Sequence, residues 1–115
     1  MKTTRSTINI AFYDGPLELK ARLLHGDFEG LAVHRPHNDQ KSWTVTHVPS
    51  GLRLGGLMTK NLKTMWHVLE EGLKAEKVDW TTSHKELDMD AAMRFYEAAK
   101  KALCCLDTLA LARTL

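Results

Sequence analysis

The chain has 115 residues, 43% of them hydrophobic and 26% charged, with 16 Lys and Arg against 14 Asp and Glu for a formal charge of +2. Those proportions describe one folded domain and exclude a disordered, fibrous or collagen-like chain. A chain of this length buries roughly two thirds of its unfolded surface, so neither a disulfide nor a metal is needed for it to fold.

Charge is spread unevenly. Residues 1–60 hold eight basic side chains and five acidic ones, residues 61–115 hold eight and nine, and four of the six His lie in the first part. An anionic partner is therefore expected on the amino-terminal half.

Strands come first in chain order. Residues 7–13 alternate Ile8, Ile10 and Phe12 with Asn9, Ala11 and Tyr13, the period of two that a half-buried strand shows. Asp14-Gly15-Pro16 turns the chain, Gly tolerating positive φ and Pro fixing the dihedral after it. Leu17, Leu19, Ala21 and Leu23 then share one side, with Glu18, Lys20 and Arg22 on the other. His25-Gly26-Asp27 ends that run. Leu31 and Val33 carry a third strand, closed at Arg35-Pro36 because Pro donates nothing to a ladder. Beyond the polar residues 37–42, Trp43-Thr44-Val45-Thr46-His47-Val48 is β-branched and aromatic, and Pro49-Ser50-Gly51 joins it to Leu52-Arg53-Leu54 as a hairpin.

Helices follow. Thr59 is the expected N-cap of a helix over about 59–76, in which Leu62, Met65, Trp66, Leu69 and Leu73 recur at helical spacing. A linker containing Trp80 leads to Ser83-His84-Lys85-Glu86, which matches a capping box, with Asp88 or Asp90 as further caps for a helix over about 84–113. Ala92, Phe95, Ala99, Leu103, Leu106 and Ala110 form its apolar stripe, while Met93, Cys104 and Leu111 fall together on the otherwise charged side.

The predicted architecture is a single α+β domain: an antiparallel meander of four to five strands over about residues 7–57, then two helices packed on one sheet face. The helices are expected to cover Ile8, Ile10, Phe12, Leu17, Leu19, Leu31, Val33, Val45, Leu52 and Leu54, leaving the other face to water. As topology alone, strands followed by a helix is similar to the Whirly-type and coactivator-type single-stranded-DNA binders. No motif of theirs is matched residue for residue.

Three functions follow from the residues. The uncovered sheet face, displaying Lys20, Arg22, Arg53, Tyr13 and His34, offers phosphate contacts and a stacking platform, and so predicts a non-enzymatic nucleic-acid-binding module. The alternative is a protein-interaction adaptor, inhibitor or homodimer using Met93, Cys104 and Leu111 on the long helix. A second alternative is a phosphodiesterase built on His34, His37 and His47, although His47 shares its side with Trp43 and Val45 and reads as a core residue bonded to backbone.

Other templates fail. Gly51-Leu52-Arg53-Leu54-Gly55-Gly56 is not a dinucleotide fingerprint, and residues 57–60 lack the glycine frame of a phosphate loop. Ser50 and Ser83 occupy turn and cap positions rather than a nucleophile elbow. No metal, cofactor or catalytic residue is predicted. Residues 42–52, the longest uncharged stretch, are too short and polar for a bilayer. Met1-Lys2-Thr3-Thr4-Arg5-Ser6 precedes no apolar run, and adjacent Cys104 and Cys105 cannot form an ordinary bridge on a helix. Cytoplasmic location is the expectation.

Overall fold

The computed structural model describes residues 2–11, 15–36 and 40–114, with side chains as far as Cys105. Five strands, β1 (Thr3–Ile10), β2 (Leu17–Leu24), β3 (Leu31–His34), β4 (Trp43–His47) and β5 (Leu52–Thr59), precede two helices, α1 (Leu62–Ala75) and α2 (Met89–Thr114). The strands form one antiparallel sheet in the order of the sequence. The predicted α+β meander followed by two helices is the observed fold.

The helices cover only part of one sheet face. Leu24, Phe28, Leu31, Val33, Val45 and Leu57 form a continuous core with Met65, Val68 and Leu69 of α1 and Ala92, Phe95 and Ala99 of α2. Small residues set how closely the helices approach: a Cβ on Gly72 would stand 2.9 Å from the Phe95 ring. The linker between them is part of this core. Trp80 is 1% exposed, and its ring meets Phe95 edge-on at 5.1 Å.

His47 pins that linker to the sheet. Its Nε2–H donates toward the Trp80 carbonyl at 2.9 Å and the Thr82 carbonyl at 3.0 Å, so it is the backbone-bonded core histidine that its position suggests. Gly30 gives the same linker room, since at φ +102° an added Cβ would lie 2.1 Å from the Trp80 carbonyl oxygen.

The opposite face is covered over its middle, with Thr4, Ser6, Arg53 and Met58 exposed at its margins, which corrects the expectation of a wholly wet side. Ile8, Ile10, Ala21 and Ala32 are buried there as a second core, with Leu17, Leu19, Leu23 and Val48 packed around it. The β1–β2 ribbon supplies the cover. Its register runs from Thr3↔Leu24 to Ile10↔Leu17, whereas β3 pairs with β2 only at Arg22 and Leu23. The far end of the ribbon therefore projects past the short β3 and curls back across the sheet, until Ala11 N–H donates to the Gly51 carbonyl at 2.7 Å in the β4–β5 turn. Gly51, at φ +71°, is close against it, because a Cβ would sit 3.0 Å from Ala11 N. Ile8, Ile10, Leu17 and Leu19 are thus covered by this curl and not by the helices.

Further boundaries differ for local reasons. The first strand begins at Thr3 rather than about residue 7, held by pairing along β2 and not by an alternation of its own. Asn61, not Thr59, caps α1, its side-chain oxygen accepting from Thr64 N at 2.7 Å, while Thr59 ends β5. Residues 83–87 form a turn closed by Leu87 N to the Ser83 carbonyl at 2.9 Å, not a helix start. The cap of α2 is Asp88, which accepts from Ala91 N at 3.1 Å. Leu52 is 45% exposed and does not join the core.

At the sheet edge, β5 bulges between Arg53 and Met58. The outward carbonyls there are taken by α2: Tyr96 Oη donates to Gly55 and Lys100 Nζ to Gly56. A helix laid over an edge in this way blocks its pairing with another chain.

Candidate functional site

Strand register divides the predicted sheet-face site. Arg22 lies opposite Val33, and Val33 belongs to the core beneath the helices, so Lys20 and Arg22 point to the helix side. His34 lies opposite Thr44, and Arg53 opposite Thr46, on the side of Ala32 and the second core. The single cationic face expected from the sequence therefore does not exist. Lys20 and Arg22 stay together, but His34 and Arg53 are on the reverse. The cause is the second apolar layer: Leu17, Leu19 and Ala21 do share a side, but it is the one the ribbon closes. Tyr13, His37 and Leu111 lie outside the residues whose side chains are described.

His34 is no nucleic-acid contact. It is 1% exposed. Its Nδ1–H donates to the Arg35 carbonyl at 3.0 Å, and its Nε2 accepts from Thr46 Oγ1 at 2.7 Å, which fixes the neutral tautomer. Burial, opposed by the backbone hydrogen bond and reinforced by nearby Arg53, holds its pKa below the ordinary imidazole value. His34 and His47 face opposite sides of the sheet, so they cannot act on one phosphodiester. Among the described residues, no three His, Cys, Asp or Glu side chains gather to hold a metal ion.

On the helix side, α1 and α2 pack chiefly against β4 and β5, and the face of β1 and β2 is left free. A groove of about 580 Å³ opens there, lined by Arg5, Lys20, Arg22, Arg35 and Trp43. Thr7 and Gln40 add polar groups to its wall, and no carboxylate among the described residues lines it. Glu18, the next residue on that side of β2, pairs with Asn9 toward the tip of the ribbon and stays outside the groove.

Sheet register explains the convergence. Arg5 stands directly across from Arg22, and Thr7 across from Lys20. Pairing of His34 with Thr44 sets Arg35 against Trp43. The Arg35 guanidinium lies 4.4 Å from the indole centroid and that of Arg22 at 5.7 Å, within cation–π range. Arg35 is steadied by donating to the Gln40 carbonyl at 2.6 Å. Trp43 is half-buried and rests on the helix-side core, which leaves its remaining surface to the cations.

Arg5, Lys20, Arg22 and Arg35 take no part in the ion pairs seen among the described residues, such as Lys74–Glu71, Lys77–Asp27 and Arg94–Glu76. Like charges opposed across strands are unfavourable unless something anionic lies between them. Arg5, Arg35 and Trp43 were not among the residues singled out from sequence. The antiparallel register of β1 and β2 is what carries Arg5 to Arg22.

A second surface gathers apolar side chains. Leu52, Met89 and Met93, each 45–49% exposed, border a smaller groove of about 240 Å³ between the start of α2 and β5, with Leu54 and Leu87 in its wall. Cys104 is exposed but sits three turns of helix beyond Met93, about 16 Å at 1.5 Å per residue, and does not line this groove. No helix among the described residues is long and apolar enough to cross a membrane.

No protein-family model, no curated protein and no solved structure shows significant similarity to this chain.

Proposed function

We propose that this protein is a nucleic-acid-binding module that grips a phosphate backbone in the groove on β1 and β2. The observation that carries the reading is the convergence of four cations beside an indole, with no lining carboxylate among the described residues. Phosphate oxygens would satisfy the opposed Arg5 and Arg22, and Arg presents a planar fork suited to them. Other polyanions could meet the charges equally well. The exposed part of an aromatic ring among those charges is the feature that favours a ligand with bases.

The test is binding of a fluorescently labelled oligonucleotide. Lys20→Glu with Arg22→Glu abolishes it, whereas Arg53→Glu, on the reverse of the sheet, leaves it within about twofold. Equal loss in both variants would place the site elsewhere.

A second reading, self-association through the first turns of α2, is favoured by Leu52, Met89 and Met93 converging on one groove, because clustered apolar exposure marks contact surfaces. It keeps Met93 from the predicted helix interface and replaces Cys104 with Leu52 and Met89. By light scattering, the wild type has twice the chain mass and Met89→Lys with Met93→Lys restores the single-chain mass; a monomeric wild type rejects the reading.

A further inference from the structure

We infer that the groove takes an unpaired strand, one base of which stacks on the Trp43–Arg35 pair; this rests on the phosphate-binding reading and specifies its ligand. Across the sheet, the groove passes from Arg5 on β1 through Lys20 and Arg22 on β2 to Arg35 and Trp43 at the ends of β3 and β4. Neighbouring strands are about 4.8 Å apart, so the charges form a path running across the strands and ending at the ring. A backbone following that path delivers its next base to Trp43.

Charge alone does not choose between one strand and two. Trp43 does. In a duplex the faces of the bases are occupied by their neighbours, and a wall side chain reaches only edges and phosphates. An unpaired base has a free face. The Arg35 guanidinium already stands over the indole at 4.4 Å from its centroid, and a guanidinium plane is itself a stacking surface for a base. Trp43 keeps its position when the ligand arrives, because it is packed against the core beneath the helices. A lipid headgroup or a sulfated sugar has no aromatic face to stack there, so its binding would rest chiefly on the cations.

The chain has three Trp: Trp43, half-buried Trp66 and Trp80, which is 1% exposed. In a Trp66→Phe background, emission therefore comes from Trp43 and an indole sealed from solvent. A ten-residue thymidine oligonucleotide should quench that emission, and a duplex of equal length should not. Trp43→Leu should weaken binding of the single strand by roughly five- to 150-fold, the range for loss of one stacked base, with Trp43→Phe recovering most of it. The slope of affinity against salt should stay the same in both variants. Circular dichroism and thermal melting verify that each variant is folded, and quenching in the Trp66→Phe protein tests the stack with Trp43 intact.

Single strand and duplex bound equally, without quenching and without dependence on Trp43, would overturn the inference and leave the phosphate grip standing. Failure to bind either nucleic acid, or binding to anionic phosphatidylserine vesicles or heparin at least as tightly as to oligonucleotide, would overturn both.

Discussion

Salt dependence gives the groove a quantitative signature. A ligand whose phosphates are neutralised by protein cations releases condensed counterions, and for a single strand each contact adds about 0.7 to the slope of log affinity against log salt. Four cations line the groove, so full engagement gives a slope of about −2.8. Raising salt from about 50 to about 200 mM should then weaken binding about fiftyfold. Arg22→Ala removes one contact, lowering the slope to about −2.1 and the loss over the same interval to about eighteenfold. Arg22 is the useful position because it stands between Arg5 and the Trp43 ring.

Fluorescence anisotropy titrations at five salt concentrations measure both slopes. Arg53→Ala is the matched control: it removes the same charge from the same small domain, but on the side of the sheet facing away from the groove. Long-range attraction to net charge would affect both variants alike, whereas contact in the groove affects only Arg22→Ala. Equal slopes for wild type and Arg22→Ala, or an equal drop in the Arg53→Ala protein, would refute the assignment of phosphate contacts to this groove.

Two stability predictions follow from the same geometry. Arg5→Thr relieves the like-charge pairing with Arg22 and should raise the stability of the free protein by about 0.2–1 kcal/mol in low-salt urea melts, a gain that disappears in high salt; destabilisation at low salt would show that the two guanidinium groups do not repel. His34 is held below its ordinary pKa chiefly by burial, so above about pH 6.5 its contribution is complete. As pH falls below that value the unfolded chain takes up a proton that the folded chain refuses, and stability falls until the folded group protonates. His34→Gln should flatten that decline in urea melts between pH 8 and pH 5, and a decline of unchanged size would assign it to other groups.

Much of the fold is legible in the sequence because its cues are local. Alternation marks β2 and β4, Pro49-Ser50-Gly51 marks the β4–β5 turn, and the stripe from Ala92 to Leu103 marks the buried side of α2. The strand order follows, since short turns between antiparallel strands leave few other arrangements. Which layer covers each side is not local. Alternation in β2 reports that Leu17, Leu19 and Ala21 share a side, and both sides of this sheet have apolar cover. Leu24 was the informative residue, since it continues the parity of Lys20 and Arg22 and enters the helix-side core. An aliphatic side chain on the charged side of a strand means that the charged side is covered at that end and open at the other.

That division accounts for where a binding groove can form on so small a protein. A sheet covered by helices on one face and by its own curled ribbon on the other has little open strand surface. One open patch is the helix-side face of β1 and β2, which α1 and α2 do not reach because they pack on β4 and β5. Solvated strand faces commonly carry Lys, Arg and Thr, so cations alone on such a patch ask for no ligand. Here Arg5 and Arg22 are paired across strands, Lys20 and Arg35 lie beside them, and no carboxylate among the described residues joins the lining. Like charges set opposite one another disfavour the free protein, and under the proposed function an anion in the groove would offset that cost. Burying Trp43 completely would have gained more apolar contact than holding it half-open beneath two guanidinium groups. These two features are the reason for proposing a ligand at this patch.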